Sequence, residues 1–206
     1  MFKRTLSPVF LLALSVALSQ PSCTAESTDE GAEDALSDEY DMNMEEEENL
    51  AEGESALSGD NLTWANACVS KIKNLRTSIG LAAGTNIVQA ATKEPAYSGA
   101  TYGDCARKEA KYDSTNGGHA AHKANLYKCL GTQNECVNWK PNAGETPTQM
   151  VKRCVQGWFD EGPGADYSKH GHYTNMTSST YKNITCGVYK NASGQYTIAA
   201  DFKASY

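Results

Sequence analysis

Beyond one apolar run at its start, this chain of 206 residues has no stretch near the roughly 18 to 20 apolar residues that a membrane helix needs. Any membrane attachment therefore has to come through a lipid or through contact. No Cys-x-x-Cys pair, Gly-x-Ser-x-Gly elbow, His-Glu-x-x-His run or phosphate loop is present, which removes the commonest signatures of thiol-metal, serine-nucleophile, zinc-protease and nucleotide chemistry. Ser168, Ser178 and Ser179 belong to no nucleophile motif. Lys and Arg are missing altogether from Thr24 to Asp60, against fifteen acidic side chains and a single aromatic, Tyr40. Such a segment buries too little apolar area to offset the entropy of ordering it, so residues 24–60 are expected to be a disordered acidic linker, a solvating spacer in preference to an acidic arm that folds back onto the basic domain. No internal repeat is visible.

What is present begins with a leader. Lys3 and Arg4 precede the apolar run Val9 to Leu18, and small and polar residues with Pro21 follow, the pattern of a secretory signal peptide over residues 1–23. Cys23 stands where a bacterial lipoprotein signal places its acylated cysteine. Gln20-Pro21-Ser22 departs from the usual approach to such a site, so lipidation of Cys23 and an ordinary cleavage site both stay open. Either way the mature protein is expected to be secreted or held at an outer surface. The chain has seven cysteines, and setting Cys23 aside leaves Cys68, Cys105, Cys129, Cys136, Cys154 and Cys186. An even, dispersed set in an exported chain reads as three disulfides, each contributing about 2 to 4 kcal/mol. Spacing does not choose among the possible pairings.

From Asn61 onward Lys and Arg outnumber Asp and Glu by sixteen to ten. The positive charges are scattered and carry no nucleic-acid motif, so no nucleic-acid partner is expected. Residues 61–206 suffice for one core, expected as one monomeric domain. Trp64 to Ser78 places Trp64, Cys68, Ile72 and Leu75 at helical spacing and ends at Gly80. Asp104 to Tyr112 reads as a weaker helix. Pro147 to Asp160 is the clearest, with Thr146 as N-cap, Pro147 in the first turn and Gln149 completing a capping box. Two strands, Asn183 to Tyr189 and Gln195 to Phe202, flank the turn Asn191-Ala192-Ser193-Gly194 and form a hairpin. Helices first and a hairpin last give an α+β layered fold. His172 is expected just ahead of a short extended segment leading into the strand that holds Cys186.

The four histidines fall in two pairs, His119 with His122 and His170 with His172. A lone histidine is more often a hydrogen-bonded surface residue than a ligand, so the pairs acquire weight only from their surroundings. Gly171-His172-Tyr173-Thr174, followed by Cys186-Gly187-Val188, resembles the signature of the CAP superfamily of cysteine-rich secretory, antigen 5 and pathogenesis-related proteins, in its SCP-like extracellular form. The chain looks like a secreted bacterial member. Asn175 replaces the usual Gln, Ser178 the usual Trp, and Thr185 the Gly before Cys. Trp158-Phe159-Asp160-Glu161 is similar to the family's Trp-Tyr-Asp-Glu, and Ile72, Arg76 and Gly80-Leu81 match its first helix. The resemblance covers most of residues 66–202.

It implies a three-layer α-β-α sandwich with a cleft lined by two His and two acids. Glu161 and His172 would face one another there and are the candidates for catalysis. The first cleft histidine is expected at His122, with His119 the alternative. The second acid is expected at Glu135, or at Gln133 if Thr132-Gln133-Asn134 is aligned on its Asn. His122, Glu135, Glu161 and His172 would then hold Zn²⁺ or another divalent metal. The resemblance favours a binding module for a small apolar ligand, lipid, sterol or cell-surface component. The alternative is a metal-dependent hydrolase, a peptidase or esterase, in the same cleft. Asn-x-Ser/Thr sequons at Asn61, Asn175, Asn183 and Asn191 read as chance occurrences.

Overall fold

The computed structural model describes residues 59–92, 99–129 and 131–204. The expected signal peptide, Cys23 and nearly all of the acidic linker lie outside the described residues. Nine elements follow in order: α1 Gly59–Ser78, β1 Thr85–Asn86, α2 Tyr102–Asn116, α3 Ala120–Lys123, β2 Thr132–Trp139, α4 Pro147–Asp160, α5 Tyr167–Thr177, β3 Asn183–Lys190 and β4 Tyr196–Lys203.

The hairpin of β3 and β4 is the centre of the sheet, whose strand order is β1-β3-β4-β2. β2 and β3 both run antiparallel to β4, while two-residue β1 adds in parallel beside β3. Side chains alternate faces along each strand. Ile184, Cys186 and Val188 of β3, with Ile198, Ala200 and Phe202 of β4, meet α1, α4 and Met176 of α5 in the main core. The opposite face, with Thr185, Gly187, Ala199 and Asp201, lies under α2, against which α3 packs. The result is the expected three-layer α-β-α sandwich.

One close joint fixes the layers. At Gly187 an added Cβ would sit 2.1 Å from the Arg107 nitrogen, so the absence of a side chain is what lets α2 lie flat on β3. Three disulfides brace the whole: Cys68–Cys186 ties α1 to β3, Cys105–Cys129 ties α2 to the segment before β2, and Cys136–Cys154 ties β2 to α4.

α4 and the hairpin fall where the sequence places them, and Thr146 and Gln149 form the expected reciprocal cap. α2 extends further than expected, with Thr101 and Asp104 forming a second capping box. The segment around His172 differs. It is not extended: His172 lies inside α5. This stretch is rich in Gly, Thr, Asn and His, poor helix formers without a clear apolar stripe, and tertiary contacts hold it. Asp166 caps its start by accepting from the Ser168 N–H, and Glu161 accepts from the His172 N–H at 2.9 Å. At its far end the buried Arg76 guanidinium donates to the carbonyls of Met176 (2.7 Å), Ser178 (3.1 Å) and Tyr181 (3.1 Å), and also to Ala82 (2.9 Å). Those bonds satisfy carbonyls that a helix end leaves open.

Candidate functional site

Glu161 sits immediately after α4, and His170 closes that helix end by donating from Nδ1 to the carbonyls of Glu161 (2.7 Å) and Gly162 (3.0 Å). The Glu161 carboxylate turns to α5. One oxygen accepts from the backbone N–H groups of His172 (2.9 Å) and Tyr173 (3.3 Å), and the other contacts His172 Nδ1. The His172 ring is 3% exposed as a residue, lies 6.1 Å from the Trp158 ring, and has no hydrogen-bond partner at Nε2.

The facing imidazole is His119. Its ring stacks on that of His172 with centroids 6.2 Å apart and 29° between planes. His119 is the left-handed residue, φ 60°, that starts α3. Two side chains of β2 hold it: its N–H donates to Glu135 Oε2 at 2.7 Å, and its Nδ1 meets Gln133 Oε1 at 2.6 Å. Burial lowers the His119 imidazole to about 4, so it is neutral at neutral pH.

The proton positions follow from the partners. Gln133 donates its amide to Glu109 Oε2 at 2.7 Å, so the oxygen it offers His119 is an acceptor and His119 Nδ1 carries the proton. Glu161 likewise presents acceptor oxygens, so His172 Nδ1 carries the proton too. In its neutral form each ring then has its lone pair on Nε2. An oxygen partner at Nδ1 that fixes the tautomer and frees Nε2 is the arrangement that supports a metal-binding histidine.

The structure brings Glu161 and His172 together, as the motifs imply. It puts His119 rather than His122 opposite them, because the left-handed turn at His119 points the chain back over β2. His122 instead stands 3.7 Å from Glu109. Gln133 takes the place expected for the second acid, and Glu135 lies behind His119, buried, with burial first and Asp113 second holding its carboxyl well above the usual range. Glu135 is therefore a positioning residue for the His119 backbone. The sequence reading missed the clamp between β2 and α5: Asn134 donates to the His172 carbonyl at 2.8 Å and accepts from Asn175 at 3.0 Å, while Tyr167 donates to Asn175 at 3.0 Å. Asn134 was visible only as the last residue of an imperfect motif.

The family model described as the cysteine-rich secretory protein family, CAP, matches residues 63–202. The chain belongs to the CAP family. A similar solved structure for this CAP domain is the crystal structure of hookworm platelet inhibitor, at 11% identity and a TM-score of 0.42, covering 74% of this chain and 75% of that one. No curated protein matches the sequence.

Proposed function

We propose that this CAP domain is an exported binding module whose recessed His119–His172 pair takes up a divalent metal, Zn²⁺ first, beside a surface that holds a small apolar or cell-surface ligand. The observation that carries the reading is the buried, unpartnered Nε2 of His172, beside a second imidazole whose Nδ1 is likewise committed to an oxygen. The residues fit an imidazole-preferring ion such as Zn²⁺: His119 and His172 would hold it through Nε2, while Gln133 and Glu161 orient the rings. When bound, such an ion would supply Lewis-acid character. Three disulfides support export, since such bridges persist in oxidising compartments.

Binding is preferred over hydrolysis on a specific ground. A metal-dependent hydrolase needs a free base near the ion, and Glu161, the carboxylate that touches the pair, has both oxygens occupied. Gln133 in the other acidic place has no basic group to offer.

Calorimetric titration of the purified protein with Zn²⁺ near neutral pH tests the metal site. One equivalent is expected, abolished by His172→Ala, sharply weakened by His119→Ala and retained in His122→Ala. No uptake, or uptake indifferent to His119 and His172, overturns the proposal. Mass spectrometry of an organic extract from the purified protein reports the apolar ligand separately.

A further inference from the structure

The fold sorts the charges of α2 and α3 by sign. Between residues 99 and 129 the acidic side chains are Asp104, Glu109 and Asp113, and all three are buried. Asp104 accepts from the Thr101 N–H, Asp113 accepts from the Ala121 N–H, and Glu109 accepts from Gln133 while sharing a hydrogen bond with Asp201. Lys108, Lys111, Lys123 and Lys128 are exposed. Among the described residues, therefore, the outward side chains of this layer include four lysines and no carboxylate.

These lysines stand close together. Lys108 and Lys111, three residues apart on α2, are neighbours on its surface. Lys128 adjoins Cys129, whose bridge to Cys105 ties it one turn ahead of Lys108. Lys123 follows His122, whose Nδ1 lies 3.7 Å from Oε1 of Glu109, the residue after Lys108. The anchoring positions, Cys105 to Lys111, span about 9 Å of helix. Spread along the sequence the charges read as dispersed and the acidic linker as a solvating spacer; gathered on one face they make a cationic surface that suits an anionic partner. The chain itself contains one. Residues 24–58 run directly up to α1 with fourteen acidic side chains and no Lys or Arg. Glu48 stands eleven residues before Gly59, a reach of up to about 36 to 40 Å when extended, against a radius of gyration of about 15 Å for a domain of this size. The acidic run can therefore pass from the start of α1 around the sheet to α2, and the tether holds it there at an effective concentration on the order of millimolar.

We propose that the acidic segment 24–58 docks on the lysine face of α2 and α3 within the same molecule, as an electrostatic cover. Single exposed ion pairs are weak and screened by salt, but several on one tether act together. His119 caps α3 and Lys123 ends it, so the docked segment borders the imidazole pair, and an anionic ligand approaching from that side has to displace it. Docking is independent of whether the cleft holds a metal.

The full chain, dilute and at low salt, would be treated with a carbodiimide, which joins a carboxylate to a lysine amine in contact with it, and peptides from the monomer band mapped by mass spectrometry. Links from acids of residues 24–58 to Lys108, Lys111, Lys123 and Lys128 are expected to exceed those to Lys71, Lys73 and Lys152 of the opposite layer, and to fall several-fold at about 1 M NaCl, where screening shortens to roughly 3 Å. Links concentrated on Lys71 and Lys73, the pattern of a plain tether beside α1, or links found only between molecules, overturn the proposal. A second measurement uses heparin as an anionic probe. Changing Glu45, Glu46, Glu47 and Glu48 to Gln in the full chain should tighten heparin binding several-fold, and that gain should vanish when Lys108, Lys111, Lys123 and Lys128 are Gln as well. An equal gain in both backgrounds reports net charge alone and refutes docking at this face.

Discussion

Replacing Arg76 with Met keeps a long side chain in the same channel and removes only the fork of donors, so it isolates what the guanidinium does. Four hydrogen bonds disappear, three of them to the end of α5 and the chain beyond it. A bond from a charged donor contributes about 1.5 to 3 kcal/mol, and a buried carbonyl left bare costs about 1 to 3 kcal/mol. These losses do not add in full. Burial already disfavours the guanidinium charge, and the partly buried carbonyls of Ser178 and Tyr181 can turn to water, whereas the Met176 carbonyl is buried. The net loss should be about 3 to 4 kcal/mol, a fall in melting temperature of roughly 10 °C for a domain of this size. Arg76→Lys keeps a charge but cannot fork to four carbonyls, so it should recover less than half. Urea unfolding followed by tryptophan fluorescence measures both. Because α5 carries His172, Zn²⁺ affinity should fall in step with stability. A cost below about 1 kcal/mol for Arg76→Met, or a lysine variant indistinguishable from wild type, refutes this account of how α5 is held.

Two further outcomes are expected. Gly187→Ala would push a methyl group to 2.1 Å from the Arg107 nitrogen and 2.3 Å from the Ala106 carbonyl carbon. Since these are backbone atoms, α2 has to lift, and the loss should be at the upper end of the ~1 to 3 kcal/mol typical of overpacking, or beyond it; a thermal melt unchanged within about 1 °C would contradict the close joint. Acid-base behaviour supplies the second. Burial raises the Glu109 carboxyl to about 7 from 4.5, so its protonated form favours the fold below about 4.5, and up to ~3 kcal/mol is lost as pH rises through 7. His119 acts oppositely, its contribution vanishing as pH falls from 6.5 to about 4. Above 6.5 the carboxyls remain, Asp201 also being held well above its usual range by burial and then by Glu109. In chelator the melting temperature should therefore fall between pH 6.5 and 8, and Glu109→Gln should flatten that slope; a rise over the same interval refutes the reasoning.

Local signals account for what the sequence disclosed. α4 was legible because Met150, Val151, Cys154, Val155 and Trp158 recur at helical steps behind a strong cap, and the C-terminal hairpin because Asn191 and Gly194 announce its turn. Glu161 and His172 were legible through their motifs. α5 was not, since its residues prefer other conformations and its helix depends on Glu161 and Arg76, which are distant in sequence. β2 was hidden because it is polar on both faces: Asn134 binds α5 on one side, while Gln133 and Glu135 face α2 and α3 on the other. The choice between His119 and His122 rested on a single left-handed residue and two carboxyls, Glu135 and Asp113, that anchor the backbone nitrogens of His119 and Ala121. No spacing rule encodes that. Gln133 was recoverable by aligning on Asn134 in place of charge.

The Cys68–Cys186 bridge spans 118 positions, and the other two lie wholly within that span. The exposed connections at 142–144 and 163–166 are open to proteases. A cut at the first leaves pieces joined by Cys68–Cys186 and Cys136–Cys154; a cut at the second leaves them joined by Cys68–Cys186 alone. A clipped molecule therefore stays one covalent particle, and the damage shows as separate bands only once a thiol reagent is added.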